Sequence, residues 1–148
     1  MCLTIKGYCK IATEDIICYK VLQRIVTLTN TQIWKTPNGT LLPDFHAWKN
    51  CKGYVQEIPE GSKFLMFEKP ESELTHPAIH SFTDLQAPGI NSIMKSYLMS
   101  QRFECIIPKG TKYYSGIVKY GNYWINEWNI SDSYASERII YRKLITSI

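Results

Sequence analysis

A seven-residue phrase occurs twice in the chain and constrains its fold more than any other feature. Residues 58–64 are Ile-Pro-Glu-Gly-Ser-Lys-Phe, and residues 107–113 are Ile-Pro-Lys-Gly-Thr-Lys-Tyr. Proline ends the hydrogen-bond ladder of the strand before it, glycine takes a positive φ, and the hydroxyl residue bonds back to the turn. The phrase therefore predicts two similar corners, each of which opens a strand with a lysine beside an aromatic ring. A similarity of only seven residues is also compatible with the same favourable turn sequence occurring twice, without duplication of a larger segment of the chain.

Length and composition indicate one ordinary globular domain, 1–148. Hydrophobic residues make up 45% of the 148 residues and charged residues 20%. The formal net charge of +4 suits an anionic ligand and is too small for a protein that packs long nucleic acid. Ten tyrosines and four tryptophans supply rings with polar edges, which suit ligand walls and interfaces as well as cores.

Cysteine usage and hydropathy predict a cytoplasmic protein without a metal or a membrane segment. The five cysteines are irregularly spaced and include no Cys-x-x-Cys pair, which argues against a disulfide framework and a zinc site. His76 and His80 are separated by Pro77, so one helical face does not present both. We find no signal peptide, and no run approaches the roughly 18 apolar residues of a membrane span.

Hydrophobic patterns predict a strand-dominated α+β domain with one main helix near 91–101. Apolar residues at 93, 94, 97 and 98 repeat on one helical face, and Asn91 or Ser92 is the expected cap. The segments 43–57 and 68–77 are expected to be loops, and 133–138 a polar turn that enters the last strand or gates a pocket. The predicted strands are 16–26, short arms around a Pro-Asn-Gly turn at 37–39, 63–67, 78–82, 102–107, 117–124 and 138–145.

Lysines stand next to aromatic residues at several places along the predicted strands. Neighbours on a strand point to opposite faces, so these strands have one aromatic face and one basic face. If the two kinds of face meet at a cleft, bases could stack on the rings while phosphates meet the lysines. The alternative is an aromatic core with a solvated lysine exterior.

One acidic residue, Glu104, stands within the apolar stretch 103–107. Alternation places Glu104 on one strand face with Arg102, away from Phe103 and Cys105. Glu104 either forms a surface ion pair with Arg102 or supplies a carboxylate to a cleft.

The chain contains three short segments of interest, Tyr19–Lys20, Ser81–Thr83 and 104–113. They resemble motifs of mono-ADP-ribosyltransferases and occur in that family's order. The last resembles that family's carboxylate strand followed by Pro-x-Gly-Thr-x-aromatic, and the others resemble its Tyr-Arg and Ser-Thr-Ser strands. Lys20 replaces the family's arginine and loses the bidentate fork for phosphate. Arg102 stands where the family has an acid or amide. The resemblance implies an ADP-ribosyltransferase-like fold that keeps a nucleotide pocket with degraded catalysis, or a transferase with Glu104 as its catalytic carboxylate.

A second resemblance covers most of the chain. It is carried by Cys18–Val21, Ile79–Phe82, 105–114 and Tyr134–Ser136. This set is similar to small uncharacterised proteins of phages and gut-bacterial mobile elements. The resemblance implies a phage protein in the cytoplasm of a host bacterial cell and, by analogy, a role against host defence.

The sequence hypothesis is a non-catalytic, cofactor-free protein that sequesters a nucleotide immune signal, either cyclic ADP-ribose-like or a cyclic dinucleotide. Two alternatives stay open: a mono-ADP-ribosyltransferase that uses NAD, and a protein-binding inhibitor with the same rings as anchors. A homo-oligomer with shared pockets is compatible with all three. The predicted site has Trp34, Trp48, Tyr113 and Tyr114 on bases, Lys20, Lys109, Lys112 and Arg138 on phosphates, and Ser81 and Thr111 on ribose or phosphate.

Overall fold

Strands dominate the structure, as the sequence predicts. The computed structural model describes residues 3–26, 28–29, 32–36, 40–42, 51–64, 66, 68–74, 76–96, 99–122 and 127–145. In these ranges ten strands form one antiparallel sheet, and one helix packs against it. The elements are β1 (Thr4–Ile11), β2 (Ile16–Val26), β3 (Gln32–Lys35), β4 (Leu41–Leu42), β5 (Val55–Glu57), β6 (Ile79–Phe82), α1 (Pro88–Ser96), β7 (Ser100–Ile107), β8 (Lys112–Asn122), β9 (Glu127–Ser136) and β10 (Arg138–Ile145).

The sheet is continuous along one edge of β2 and open along the other. The strand order is β1-β8-β9-β6-β2-β7-β10-β5, with β3 paired to β2 and β4 paired to β3. β2 pairs with β7 from Ile16 to Gln23 without interruption. On its other edge β2 shares one registered pair with β6, Tyr19 with Phe82, and then pairs with β3. A gap therefore separates β2 from β6 beyond that pair.

Each face of the sheet carries its own buried cluster. On the face that we call the thiol face, Cys18 and Cys105 lie opposite each other in register among Trp34, Phe103 and Tyr141. On the other face, here the helix face, α1 covers a cluster that includes Val21, Phe82 and Tyr114. Because side chains alternate along β2, one strand supplies both clusters.

The helix begins earlier and ends earlier than its periodicity predicts. Pro88 opens α1, a position where its missing N–H costs nothing. The Gly89 N–H donates to the Ser131 hydroxyl of β9 at 2.7 Å, so another strand supplies the cap. Asn91 and Ser92 lie inside the helix, which makes the predicted caps wrong. The predicted end at 101 is also wrong, because β7 already begins at Ser100.

The predicted strands at 16–26, 78–82, 102–107, 117–124 and 138–145 correspond to observed ones, and β3 and β4 are the predicted arms of a hairpin. The turn at 37–39 lies outside the described residues. No strand occupies 63, 64 or 66, so the prediction for 63–67 is wrong in its described part. β5 lies within a segment predicted to be a loop.

Two long strands escaped prediction because their patterns are interrupted. β1 contains Gly7 with a φ of 78°, and its register to β8 shifts between Lys6 and Lys10. β9 ends in small hydroxyl residues, which suggested a turn at 133–138. In the structure β9 runs to Ser136, and only Glu137 separates it from β10.

Both copies of the repeated phrase form the predicted turn. The Ser62 N–H donates to Pro59 O at 3.0 Å, and the Thr111 N–H donates to Pro108 O at 3.1 Å. Gly61 and Gly110 have φ values of 82° and 87°, the positive φ that a type II turn requires at its third residue. The second corner opens β8, whereas no strand begins after the first within the described part of 62–74.

Both corners are fastened to the same residue, Glu137. The Ile58 N–H, at the start of the first corner, donates to Glu137 O at 3.1 Å. The Lys112 N–H, at the end of the second corner, donates to Glu137 Oε1 at 3.0 Å. The bend between β9 and β10 therefore holds the two copies of the phrase against one another.

We expect Gly61→Ala and Gly110→Ala to destabilise the protein by similar amounts, about 1 kcal/mol each, because an L-residue resists positive φ. A Cβ at either position meets no atom within 4 Å, so the cost is conformational rather than steric. Urea unfolding of the two variants would measure it. Unequal losses would contradict the view that the corners share one turn chemistry.

Candidate functional site: a buried lysine in a cavity

A cavity of about 390 Å³ lies at the gap between β2 and β6, a volume typical of small-molecule sites. Its walls come from both faces of the sheet, since Ser81 belongs to the thiol face while Phe82 and Ile93 belong to the helix face. β5 and the β3–β4 arms complete the wall. The cavity thus exists because the sheet does not close along this edge of β2.

The ammonium of Lys20 occupies the gap. Lys20 is 6% exposed and points to the same face as Cys18, because two residues separate positions of one face on a strand. Its Nζ donates to His80 O at 2.7 Å, a bond that joins β2 to β6 where ladder bonds are missing. Burial lowers the pKa of Lys20 to about 8. Among the described residues no carboxylate forms an ion pair with it.

A second polar group beside Lys20 has at most a weak partner. Ser81 is 3% exposed and lines the cavity, and among the described residues its hydroxyl has no partner stronger than the Cys18 thiol. Its neighbour is the Cys18 thiol, a weak donor whose pKa burial raises to about 11. The thiol therefore stays protonated at neutral pH and is no nucleophile. Ser133, also buried, adds another hydroxyl to the wall.

His80 is neutral at physiological pH. Burial, with the charge of Lys20 as a second cause, lowers the pKa of His80 to about 4. The imidazole is therefore a polar wall of the cavity, and it adds no charge to that of Lys20.

The mouth of the cavity carries exposed apolar side chains and a carboxylate. Leu41 and Val55 line it while 53% and 43% exposed. Glu57, also exposed, lines the rim. Between them Gln56 is held in place, because its Oε1 accepts a hydrogen bond from the Tyr141 hydroxyl at 2.8 Å. A ligand that enters passes apolar side chains and a carboxylate before it reaches Lys20.

Of the nine predicted ligand-binding residues that lie within the described ranges, Lys20 and Ser81 are the two that line this cavity. Trp34 and Tyr114 are fully buried, which corrects their predicted role in base stacking. Trp34 packs edge-to-face on Phe103 at 5.1 Å in the core of the thiol face. The Tyr114 hydroxyl accepts from the Glu68 N–H at 3.2 Å on the helix face. The same burial removes both rings as anchors for a protein interface. Trp48 lies outside the described residues.

The other predicted phosphate ligands lie around the second corner. Arg138 Nε donates to Thr111 Oγ1 at 3.2 Å, and Thr111 is fully buried. Tyr113 packs edge-to-face on Tyr134 at 5.7 Å. Lys109 is exposed and Lys112 half-buried, and neither lines the cavity. The structure thus splits the predicted site in two.

Arg138 lines an open groove of about 420 Å³ along the first corner, which adjoins the cavity at Glu57, Ile58 and Pro59. Its other charged residues are Glu57, Glu60 and Glu137. Three carboxylates against one guanidinium make this groove a poor site for phosphate, so it does not replace the cavity.

Glu104 is turned away from Lys20. In the register of β2 and β7, Tyr19 lies opposite Glu104 and Lys20 lies opposite Phe103, so the carboxylate and the ammonium occupy opposite faces. Glu104 is absent from the residues that line the cavity. Its Oε2 is 3.7 Å from Arg142 Nε, an ion pair that differs from the predicted pair with Arg102.

The comparisons with known proteins identify no relative of this chain. No family model, curated protein or solved structure matches the chain. Within the described ranges no helix is long and apolar enough to cross a membrane. Those same ranges contain no group of three or more histidine, cysteine or acidic side chains placed to hold a metal ion.

We expect His80→Gln to weaken the acid sensitivity of the protein. The imidazole ordinarily titrates near 6.5 and titrates near 4 when folded, so its stabilising contribution is complete above pH 6.5 and is lost as pH falls toward 4. The difference corresponds to up to about 3 kcal/mol. Urea unfolding between pH 7 and 4 would show wild type losing that much more stability than His80→Gln. Equal losses would contradict a buried neutral His80.

Proposed function

We propose that this chain is a non-catalytic binding protein that holds a small nucleotide in the cavity at Lys20 and removes it from solution. The observation that supports the proposal best is the buried ammonium without a carboxylate partner. A buried charge lacking a counter-ion is costly, and a protein keeps one where a ligand supplies the opposite charge. A phosphate would accept charge-assisted hydrogen bonds from Lys20 Nζ and from the Ser81 hydroxyl, whose neighbour in the protein is only the weakly bonding Cys18 thiol.

The rest of the cavity suits the remainder of a nucleotide. The Ser133 hydroxyl lies on the wall, where a sugar would meet it, and Leu41 and Val55 offer apolar contact to a base at the mouth. The resemblance to phage proteins supports the biological setting, in which the captured nucleotide is an immune signal of the host. Sequestration then needs affinity alone and no reacting group.

The transferase alternative is less well supported. A phosphate that meets Lys20 would lie on the thiol face, whereas Glu104 points to the opposite face, pairs with Arg142 and does not line the cavity. A catalytic carboxylate must reach the reacting atoms within hydrogen-bond distance, directly or through one water. The geometry therefore favours binding without turnover.

We expect Lys20→Met to make the empty protein more stable while abolishing nucleotide binding. The pKa of Lys20 falls from 10.5 to about 8 on folding, so its charge destabilises the fold fully below pH 8, and the penalty disappears as pH rises through 8 to 10.5. That difference corresponds to about 3 kcal/mol. We expect a net gain of about 1 to 2 kcal/mol at pH 7, because the bond to His80 O is also lost.

Urea unfolding at pH 7 measures this gain. Lys10→Met is the matched control, since it removes the same charge from an exposed position on β1. A Lys20→Met protein of lower stability, or one that keeps nucleotide binding, would contradict the assigned role of the buried ammonium.

A thermal-shift screen of the full chain against mononucleotides, cyclic dinucleotides, ADP-ribose and NAD tests the proposed function. We expect at least one nucleotide to raise Tm in wild type and Lys10→Met and to leave Lys20→Met unchanged. Chromatography of the released ligand should return it intact. The absence of a shift with every nucleotide would reject the proposal.

We expect NAD to survive prolonged incubation with the protein and Glu104→Gln to change nothing in that assay. The reason is the placement of Glu104 on the face opposite Lys20. Chromatography of NAD and nicotinamide provides the measurement. Release of nicotinamide that disappears in Glu104→Gln would establish the transferase alternative instead.

A further inference from the structure

The described walls of the cavity carry one positive charge. Lys20 is the only lysine or arginine among the lining residues, and His80 beside it is neutral. The cationic side chains of Lys109, Lys112 and Arg138 are absent from the lining. A first ligand charge would therefore meet the ammonium and the Ser81 hydroxyl, and a second charge would find no further lysine or arginine on these described walls. Arg138, which pairs with Glu57 across β10 and β5, lines the groove that adjoins the cavity, but it shares that groove with three carboxylates.

The residues at the rim of the cavity also disfavour a ligand that carries a second negative charge. Glu57 lines the mouth together with the apolar Leu41 and Val55. A ligand long enough to carry a second phosphate toward the mouth would bring that charge to apolar side chains or to a carboxylate. An unpaired charge in such surroundings loses its hydration without compensation.

From this distribution of charge we infer that the ligand carries a single negative charge, seated at Lys20 and Ser81, with the uncharged base toward Leu41 and Val55. The inference rests on the proposed function and narrows its ligand class. Cyclic mononucleotides, whose phosphodiester carries one charge, fit this description. Cyclic dinucleotides and cyclic ADP-ribose-like signals carry two charges and fit it less well.

Matched ligands that differ by one charge provide the test. A nucleoside 5′-monophosphate carries nearly two charges at pH 7.5, because its second pKa is about 6, and its 5′-methyl ester carries one. The 3′,5′-cyclic mononucleotide, the cyclic dinucleotide and the neutral nucleoside of the same base complete the set. Isothermal titration of the full chain with each set, for adenine, guanine, cytosine and uracil, compares charge at constant base.

We expect the methyl ester to bind at least about tenfold more tightly than the 5′-monophosphate, and the cyclic mononucleotide to bind more tightly than the cyclic dinucleotide. The neutral nucleoside should bind at least about tenfold more weakly than the methyl ester, because it lacks the charge that Lys20 meets. All binding should be lost in Lys20→Met and kept in Lys10→Met.

A rim variant separates charge from shape. Glu57→Gln keeps the length of an exposed side chain and removes its charge. We expect it to improve affinity for the cyclic dinucleotide, whose second phosphate reaches toward the mouth, by about threefold and to change affinity for the cyclic mononucleotide less, since exposed charges interact weakly. An unchanged ratio of the two affinities would remove Glu57 from the discrimination.

The outcomes distinguish failure of the single-charge inference from failure of the proposed nucleotide binding. If the doubly charged ligand of a pair binds as tightly as the singly charged one, and Lys20→Met abolishes that binding, the single-charge inference is overturned while the proposed function stands. If no nucleotide in any set binds, both are rejected. If the nucleoside binds as tightly as the methyl ester, the ammonium does not recognise the ligand and both again fail.

Discussion

The hydrogen bond from Lys20 Nζ to His80 O is the interaction on which the cavity between β2 and β6 depends. It joins β2 to β6 where the two strands share only the pair Tyr19–Phe82. A conventional ladder at this point would close the sheet and leave no cavity. A side-chain donor spans the wider separation, so the strands stay connected while a space remains between them. The same bond orients the ammonium next to the Ser81 hydroxyl.

This arrangement is tolerated because the surrounding packing is strong. Cys18, Phe103 and Cys105 are fully buried on the thiol face, and α1 covers the helix face. A penalty of about 3 kcal/mol for the buried charge is a sizeable part of the net stability of a domain, and the proposed ligand would offset it by supplying the opposite charge. The proposed binding role fits this arrangement, because the Cys18 thiol stays protonated and Glu104 lies across the sheet.

The repeated corner is connected to this site only indirectly. Both corners are anchored on Glu137, where β9 passes into β10. That bend places β10 beside β5, whose residues form the mouth of the cavity. The repeated phrase thus helps to position β10 and β5, the strands at the mouth of the cavity. Its lysines do not line the cavity, which explains why prediction from the phrase alone moved the expected phosphate site toward Lys109 and Lys112.

The sequence predicts local structure wherever a short stretch determines its own conformation. The bounds of β2, the positive φ of Gly61 and Gly110 and the presence of one helix followed from residue type and periodicity. β9 did not, because its small hydroxyl residues imitate a turn, and the caps of α1 did not, because Ser131 supplies a hydroxyl from another strand. Lys20 and Ser81 were named as ligands, yet nothing local distinguished them from Trp34 or Tyr114, which turned out to be core.

The sequence by itself determined most of the strands, the turns of the two corners and the supply of cations and rings. Only the tertiary structure decided which of them meet, since exposure depends on the packing of residues distant in the chain. It selected Lys20 by leaving β2 and β6 apart, and it buried Trp34 by placing β3 over Phe103. It also put Glu104 and Lys20 on opposite faces through the register of β2 with β7, which no local pattern specifies.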